Sequence, residues 1–266
     1  MCLQLLNALG AVAASSSSGA GMTFGSLERI PSFVWWLATW TGLYYALRVF
    51  LSRTHANRLV SSVHACIVGS GGVVLLLRTA ALEPVAQFLE LRADTEYYGT
   101  AFLTYLCCDL LYELAEAEQL DYVSLFHHAL FLTTGALCAA HGFLGFPFAW
   151  LAVGELSTPF INLHAVLTQK LRAGHAAPWM STLQKVNVSV GAVLFFLCRI
   201  VLYGFGLCHL FSSKSTAVLL PPPHPILYLP LGCVVLGYGL NCVWMVAVAK
   251  TARKVLSGKF TKRATS

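Results

Sequence analysis

The sequence has few charged residues, which make up 11% of its 266 positions, whereas roughly 25% is usual for a soluble domain. Hydrophobic residues reach 57%, and the mean hydropathy is +0.70. The long apolar runs lack the period-2 alternation of membrane strands, so their backbone amides must pair within helices once hydrocarbon surrounds them. The scarcity of charge therefore excludes a soluble domain and predicts an all-α polytopic membrane protein.

Metal-ligand motifs are also absent. The nine cysteines show no CxxC spacing, and we interpret them as small apolar side chains that fill helix interfaces. The HxxxH and HxxHH spacings of a membrane di-iron oxygenase do not occur around His127 and His128, and there is no HExxH motif. The sequence therefore predicts no metal site and no cofactor.

Cations outnumber acids, and the formal net charge is +6. Six of the 17 Lys and Arg residues lie within residues 250–266, beside the end of the last apolar run. Attraction of this tail to anionic lipid headgroups accounts for the imbalance, so we expect membrane lipids and not nucleic acid as partners. The sequence assigns no oligomeric state.

About seven apolar segments are long enough to span a bilayer, whose hydrocarbon core needs roughly 20 helical residues. The first is bounded by Pro31, and a turn at His141–Gly142 makes the fourth and fifth antiparallel neighbours. The predicted segments are residues 31–51, 59–79, 97–116, 121–140, 143–165, 185–210 and 226–250.

The cations predict an orientation, because Lys and Arg in short loops favour the cytoplasmic side. With seven segments, twelve of the cations share one side, four fall on the other, and Arg199 lies within the sixth segment. We therefore predict an exterior or lumenal N-terminus and a cytoplasmic C-terminus. The twelve are Arg48, Arg53, Arg58, Lys170, Arg172, Lys185, Lys250, Arg253, Lys254, Lys259, Lys262 and Arg263.

Ionisable and amide side chains lie inside five consecutive segments, although a charged residue at the bilayer centre costs about 2.5–3.5 kcal/mol. This pattern predicts a common polar interior. Asp109 and Glu113 are four residues apart on one helix face, and Glu155 and Asn162 share a stripe seven residues long. The set is His64, Asp109, Glu113, His127, His128, Glu155, Asn162 and Arg199.

Several roles stay open for these residues. Arg199 can form a structural ion pair with Glu155 or Asp109, or it can contact a substrate. Interhelical hydrogen bonding is favoured for Asn162, Asn187 and Asn241, and packing for His64.

The adjacent histidines are the catalytic candidates. Successive helical residues point about 100° apart, so one of His127 and His128 faces a cavity while the other bonds to a neighbouring helix. Either could act as a general acid or base oriented by Asp109 or Glu155. Near Glu155, a kink is expected at Pro159, where Ser or Thr hydroxyls can satisfy the freed carbonyl.

Three stretches together resemble the TLC-domain family: residues 58–64, which end at His64; the Phe126–His127–His128 turn; and residues 155–162, which read Glu-Leu-Ser-Thr-Pro-Phe-Ile-Asn. Further similarity occurs at residues 185–187, 195–200 and 241–245. The resemblance implies a six-helix core and four regions: residues 1–30, an N-terminal segment and linker; 31–54, the first transmembrane helix; 55–255, the TLC domain; and 256–266, a basic cytoplasmic tail.

The resemblance is to the small TLC-domain proteins more than to the ceramide synthases. Ceramide synthases share the paired histidines, but the aspartates that follow them in that family are missing from the fifth segment here, where Glu155 is the nearest acid. The resemblance therefore implies lipid homeostasis at the endoplasmic reticulum, with a lipid-accessible cavity. An acyltransferase that uses acyl-CoA and a non-enzymatic cargo or scaffold protein are the alternatives, so enzymatic activity is left open.

Overall fold

The computed structural model describes residues 26–80, 82, 93–116, 122–141, 145–173, 177–212 and 228–258, which are helical and contain no strand. They form seven helical rods. Five rods are single helices of 20 to 29 residues: α1 (Ser26–Arg48), α2 (Arg53–Thr79), α3 (Ala93–Glu116), α4 (Tyr122–His141) and α9 (Tyr228–Leu256).

The fifth and sixth rods change helix type along their length. The fifth consists of α5 (Gly145–Val153), a 3₁₀ turn (Gly154–Ser157) and α6 (Thr158–Arg172). The sixth consists of α7 (Pro178–Phe195), a π-helical segment (Phe196–Leu202) and α8 (Tyr203–Leu210). The two irregular segments lie against each other and supply the charged residues of the site.

The fold prediction is confirmed, because the described chain is an all-helical membrane protein. Twenty residues of α-helix span about 30 Å, the thickness of the hydrocarbon core. By both length and hydropathy, three rods of the described chain are candidate spans: Arg53–Thr79, Trp179–Leu210 and Tyr228–Leu256. Tyr122–Cys138 is a shorter apolar helix.

Six rods close into a ring, and the first packs outside it. Around the ring, α2 packs on α3, α3 on α4, α4 on α9, α9 on α7, α7 on α6, and the fifth rod returns to α2. Helix α1 packs on α2 and α3 through a cluster of buried aromatic residues, which includes Trp36, Trp40, Tyr44 and Tyr105. The ring encloses the cavity described below.

Glycine on α2 allows the closest approach in the ring. A Cβ added at Gly72 would lie 2.7 Å from the backbone nitrogen of Val153 and 2.9 Å from the carbonyl oxygen of Ala149. Backbone atoms of a helix cannot give way as the end of a side chain can. Gly72 is therefore required for α2 to lie this close to α5, which positions the 3₁₀ turn at the end of α5.

Two local expectations are wrong. Helix α1 begins at Ser26, so Pro31 lies inside it and does not bound it. Pro31 is the sixth residue of this helix, and it removes one backbone hydrogen bond, the one that the Leu27 carbonyl would accept. Helices α4 and α5 also do not pack as neighbours. Helix α4 packs on α3 and α9, whereas α5 packs mainly on α2. The cavity, which α4 and α5 both line, separates these two helices.

Other expectations lie outside the described residues. These are the N-terminal segment up to residue 25, the turn at residue 142, and the end of the basic tail from residue 259.

Candidate functional site

Arg199 and Glu155 form an ion pair within the helical ring. The Arg199 Nη2 atom lies 3.2 Å from Glu155 Oε1, and Arg199 is 7% exposed. The same Nη2 donates to Thr158 Oγ1 at 2.9 Å, and that hydroxyl donates to Glu155 Oε2 at 2.9 Å. Of the two partners considered for Arg199, the structure therefore selects Glu155.

The remaining donors of Arg199 are also engaged. Its Nε atom donates to the Gly154 carbonyl oxygen and to Ser157 Oγ, both at 3.0 Å. Its Nη1 atom donates to Asn241 Oδ1 at 3.4 Å. One guanidinium thus joins the fifth, sixth and seventh rods.

Pro159 explains why the chain forms a 3₁₀ turn at Gly154–Ser157. Proline has no N–H, so the Glu155 carbonyl loses the donor that an α-helix would supply four residues later. The backbone N–H of Thr158 bonds to the Glu155 carbonyl instead, which produces the 3₁₀ turn. The Gly154 carbonyl loses its α-helical donor, the Thr158 N–H, and takes the donor of a 3₁₀ turn, the Ser157 N–H three residues later. Arg199 and the Ser157 hydroxyl, at 2.9 Å, also donate to the Gly154 carbonyl, whereas the Glu155 carbonyl freed by Pro159 accepts a backbone N–H and not a hydroxyl.

The ion pair lies at one end of a cavity inside the ring. The cavity has a volume of about 130 Å³, close to the roughly 150 Å³ of an engineered cavity that holds benzene. His127, Glu155, Arg199 and Asn241 line its polar end, and Thr95 and Glu96 lie at the opposite end, near the start of α3. Between these ends the wall is largely apolar, formed by Phe102, Leu103, Phe131, Phe148, Leu151 and Val234.

The two adjacent histidines point in different directions, as their helical spacing predicts. His127 lines the cavity, where its ring contacts those of Phe131 and Trp244, with centroids 4.7 and 4.9 Å away. Its buried Nδ1 atom has no hydrogen-bond partner among the described residues. His128 is not among the residues that line the cavity.

His128 faces two carboxylates of α3. Its Nε2 atom lies 3.4 Å from Asp109 Oδ2, and its Nδ1 atom lies 3.8 Å from Glu113 Oε2. Asp109 is 6% exposed, and the Ser124 hydroxyl donates to Glu113 Oε2 at 3.2 Å. We call Asp109, Glu113 and His128 the carboxylate–histidine cluster. The cluster connects α3 to α4, next to the cavity wall that carries His127.

His64 and Asn162 lie in neither group. His64 is 1% exposed and stacks on Tyr105 with ring centroids 3.8 Å apart. Asn162 Nδ2 donates to the Arg58 carbonyl and to Ser62 Oγ of α2, both at 3.2 Å. These contacts are the packing and interhelical hydrogen bonding that were favoured for the two residues.

The predicted stripe of Glu155 and Asn162 does not form, because the 3₁₀ turn changes the rotation per residue between them. Glu155 faces the sixth rod and Asn162 faces α2. The polar residues therefore do not share one interior but divide among the cavity, the carboxylate–histidine cluster and two packing interfaces.

Comparison with known proteins identifies the family. The family model of the TLC domain matches residues 54–250, which is most of the chain. The chain belongs to the TLC-domain family. It is also similar to TLC domain-containing protein 4-B of Danio rerio, with 28% identity over 216 residues that cover 78% of this chain and 76% of that protein.

The TLC match includes every residue of the cavity's polar end and of the carboxylate–histidine cluster.

The sequence did not reveal that Ser157 and Thr158 contact Arg199, nor that Trp244 contacts His127. The Ser-Thr-Pro run was the available signal for the first two, whereas no local pattern places Trp244 of α9 beside α4. Asn187 and Asn241 make the predicted interhelical bonds, since Asn187 Nδ2 donates to the Phe160 carbonyl at 2.8 Å.

Proposed function

We propose that this TLC-domain protein acts in membrane lipid homeostasis by binding a lipid in the cavity of the helical ring. The observation that carries the proposal is the distribution of polarity in the cavity: an apolar wall ends at Arg199, Glu155, Asn241 and His127. Ligand sites are typically apolar with a few convergent polar groups. A molecule with a hydrocarbon chain and a polar head matches both parts.

The length of the cavity matches a single hydrocarbon chain, and its volume of about 130 Å³ holds a segment of one chain and not a second chain beside it. Along α4 the cavity extends from His127 to Cys138, a distance of about 16 Å at 1.5 Å per residue. This is about half the thickness of the hydrocarbon core, or one leaflet. The endoplasmic reticulum is the proposed compartment on the basis of the family resemblance, with the N-terminus lumenal and the C-terminus cytoplasmic.

The proposal is tested by filling the cavity from Gly99. This glycine lines the cavity, and a Cβ added there meets no atom within 4 Å, so Gly99→Leu places its side chain in open space. Gly239 on α9 is also open within 4 Å but does not line the cavity, so Gly239→Leu is the matched control.

Cells expressing wild type, Gly99→Leu or Gly239→Leu at equal protein abundance are compared by untargeted lipidomics. We expect wild type and Gly239→Leu to change the same lipid class, and Gly99→Leu to lose the effect. Equal lipid profiles for Gly99→Leu and Gly239→Leu would contradict a role for the cavity.

The carboxylate–histidine cluster supports a second candidate, an acyltransferase that uses acyl-CoA. The fifth segment lacks the aspartates of the ceramide synthases, but α3 has two carboxylates beside His128. They flank this imidazole as orienting groups flank a general base. In that reaction a lipid amine or hydroxyl attacks the thioester carbonyl. The imidazole takes the proton of the nucleophile and returns it to the departing thiolate of coenzyme A.

The positions of the two histidines favour the lipid-binding proposal over the acyltransferase. His127 lines the cavity without a carboxylate partner, whereas His128 has the carboxylates but does not line the cavity. The two proposals separate by single substitutions assayed with acyl-CoA and a lipid acceptor. An acyltransferase loses its product in His128→Ala at unchanged abundance. A product formed equally by wild type and His128→Ala would exclude the imidazole from the reaction.

A further inference from the structure

The charged side chains among the described lining residues lie at the two ends of the cavity. Among the described residues of the lining, the formal charges are one cation, Arg199, and two carboxylates, Glu96 and Glu155. Arg199 and Glu155 lie at the same end and neutralise each other at 3.2 Å. Glu96 lies at the opposite end, and Arg199, already paired, is the one cation among the described lining residues.

Arg199 has little capacity left for another partner. A guanidinium has five N–H donors. The Nε hydrogen is shared between the Gly154 carbonyl and Ser157, and the Nη2 atom donates to Glu155 and Thr158. The Nη1 atom donates to Asn241 and has a second hydrogen. A bidentate contact with a phosphate or carboxylate would require breaking bonds that hold three rods together.

A charged head is therefore poorly matched to the polar end. A buried charge needs a partner of opposite sign, and the cost is high when it has none. An anion meets only an arginine that is already neutralised, and a cation meets only the carboxylate that is paired with this arginine and with Thr158. An uncharged hydroxyl needs no counter-charge, and it can accept the second Nη1 hydrogen of Arg199 at the end of the cavity that the ring of His127 also lines.

We infer that the cavity selects a single-chain lipid whose head is uncharged and bears a hydroxyl, with the head at the Arg199–Glu155 end and the chain along the apolar wall. This inference rests on the proposed lipid-binding function and adds the class of head group. At the Arg199–Glu155 end it excludes a head that is a phosphate, a sulfonate, a carboxylate or an ammonium group.

The test is competition against a photoreactive hexadecanol, with the purified full-length protein in detergent at neutral pH. The competitors share one chain and differ in the head: hexadecanol, hexadecanesulfonate and hexadecylamine. Labelling is measured in wild type, Gly99→Leu and Gly239→Leu. We expect hexadecanol to compete at a concentration at least about tenfold lower than either charged competitor, and labelling to be lost in Gly99→Leu alone.

The outcomes separate the two claims. If hexadecanesulfonate or hexadecylamine competes as well as hexadecanol, while Gly99→Leu still abolishes labelling, the head-group inference is wrong and the lipid cavity stands. If Gly99→Leu is labelled as strongly as Gly239→Leu, the cavity does not bind the chain, and the proposed function fails together with the inference.

Discussion

Removal of the Arg199 guanidinium should destabilise the protein strongly, and part of that cost should disappear when the Glu155 charge is removed as well. In Arg199→Met the Glu155 carboxylate stays buried, with 16% of its side chain exposed, and keeps only the Thr158 hydroxyl. Asn241 also loses the donor of its Oδ1 atom. Breaking a buried ion pair from one side costs about 3–5 kcal/mol.

Glu155→Gln should cost less, about 1–3 kcal/mol, because the amide oxygen can still accept from Arg199 and because Arg199 keeps its bonds to Gly154, Ser157 and Asn241. In the double variant no buried charge is left unpaired. Its destabilisation should therefore be smaller than the sum of the single effects by about 1–3 kcal/mol, within the range of measured coupling between residues in contact.

The assay is equilibrium unfolding in mixed micelles, monitored by intrinsic tryptophan fluorescence, for wild type, both single variants and the double variant. Arg78→Met is the control, since Arg78 pairs with Asp94 at 2.7 Å but is 59% exposed, so its loss should cost at most about 1 kcal/mol. Strictly additive single effects, or an Arg199→Met variant no less stable than Arg78→Met, would refute the view that this pair holds the rods together.

Two further substitutions test the packing around the site. Gly72→Ala should destabilise by about 1–3 kcal/mol, because its Cβ meets the Val153 backbone at 2.7 Å, whereas Gly42→Ala, which meets no atom within 4 Å, should not; comparison of their Tm values checks this. His64→Phe should keep the stacking on Tyr105 and remove two buried nitrogens without partners in the described chain, so its Tm should equal or exceed that of wild type. A clear fall in Tm would show that the His64 nitrogens are needed.

Hydropathy and length were sufficient to predict the helices but not their arrangement. In hydrocarbon, an apolar run of about 20 residues without period-2 alternation can pair its backbone N–H and C=O groups only by forming a helix. The seven predicted segments therefore correspond to the seven rods. Neighbour relations depend on shape, which no single segment encodes. The short connection between α4 and α5 suggested direct packing, yet the cavity between them is bordered by side chains from distant rods, such as Arg199 and Val234.

The site could be predicted where one regular helix decides the geometry. The spacing of His127 and His128 holds because α4 is a continuous α-helix. The stripe from Glu155 to Asn162 failed because it assumed α-helical rotation through the 3₁₀ turn. Pro159 was visible as a source of irregularity. Arg199 as a donor to the Gly154 carbonyl could not be identified from the sequence, since the two residues are 45 positions apart.

The irregular segments and the ion pair depend on each other. The 3₁₀ turn contains Gly154, and the π-helical segment carries Arg199, which donates to the Gly154 carbonyl. Arg199 is in turn acceptable in this interior because Glu155 balances its charge. The arginine is thus largely committed to satisfying the protein itself, and this commitment is the physical reason to expect a ligand that brings no charge of its own.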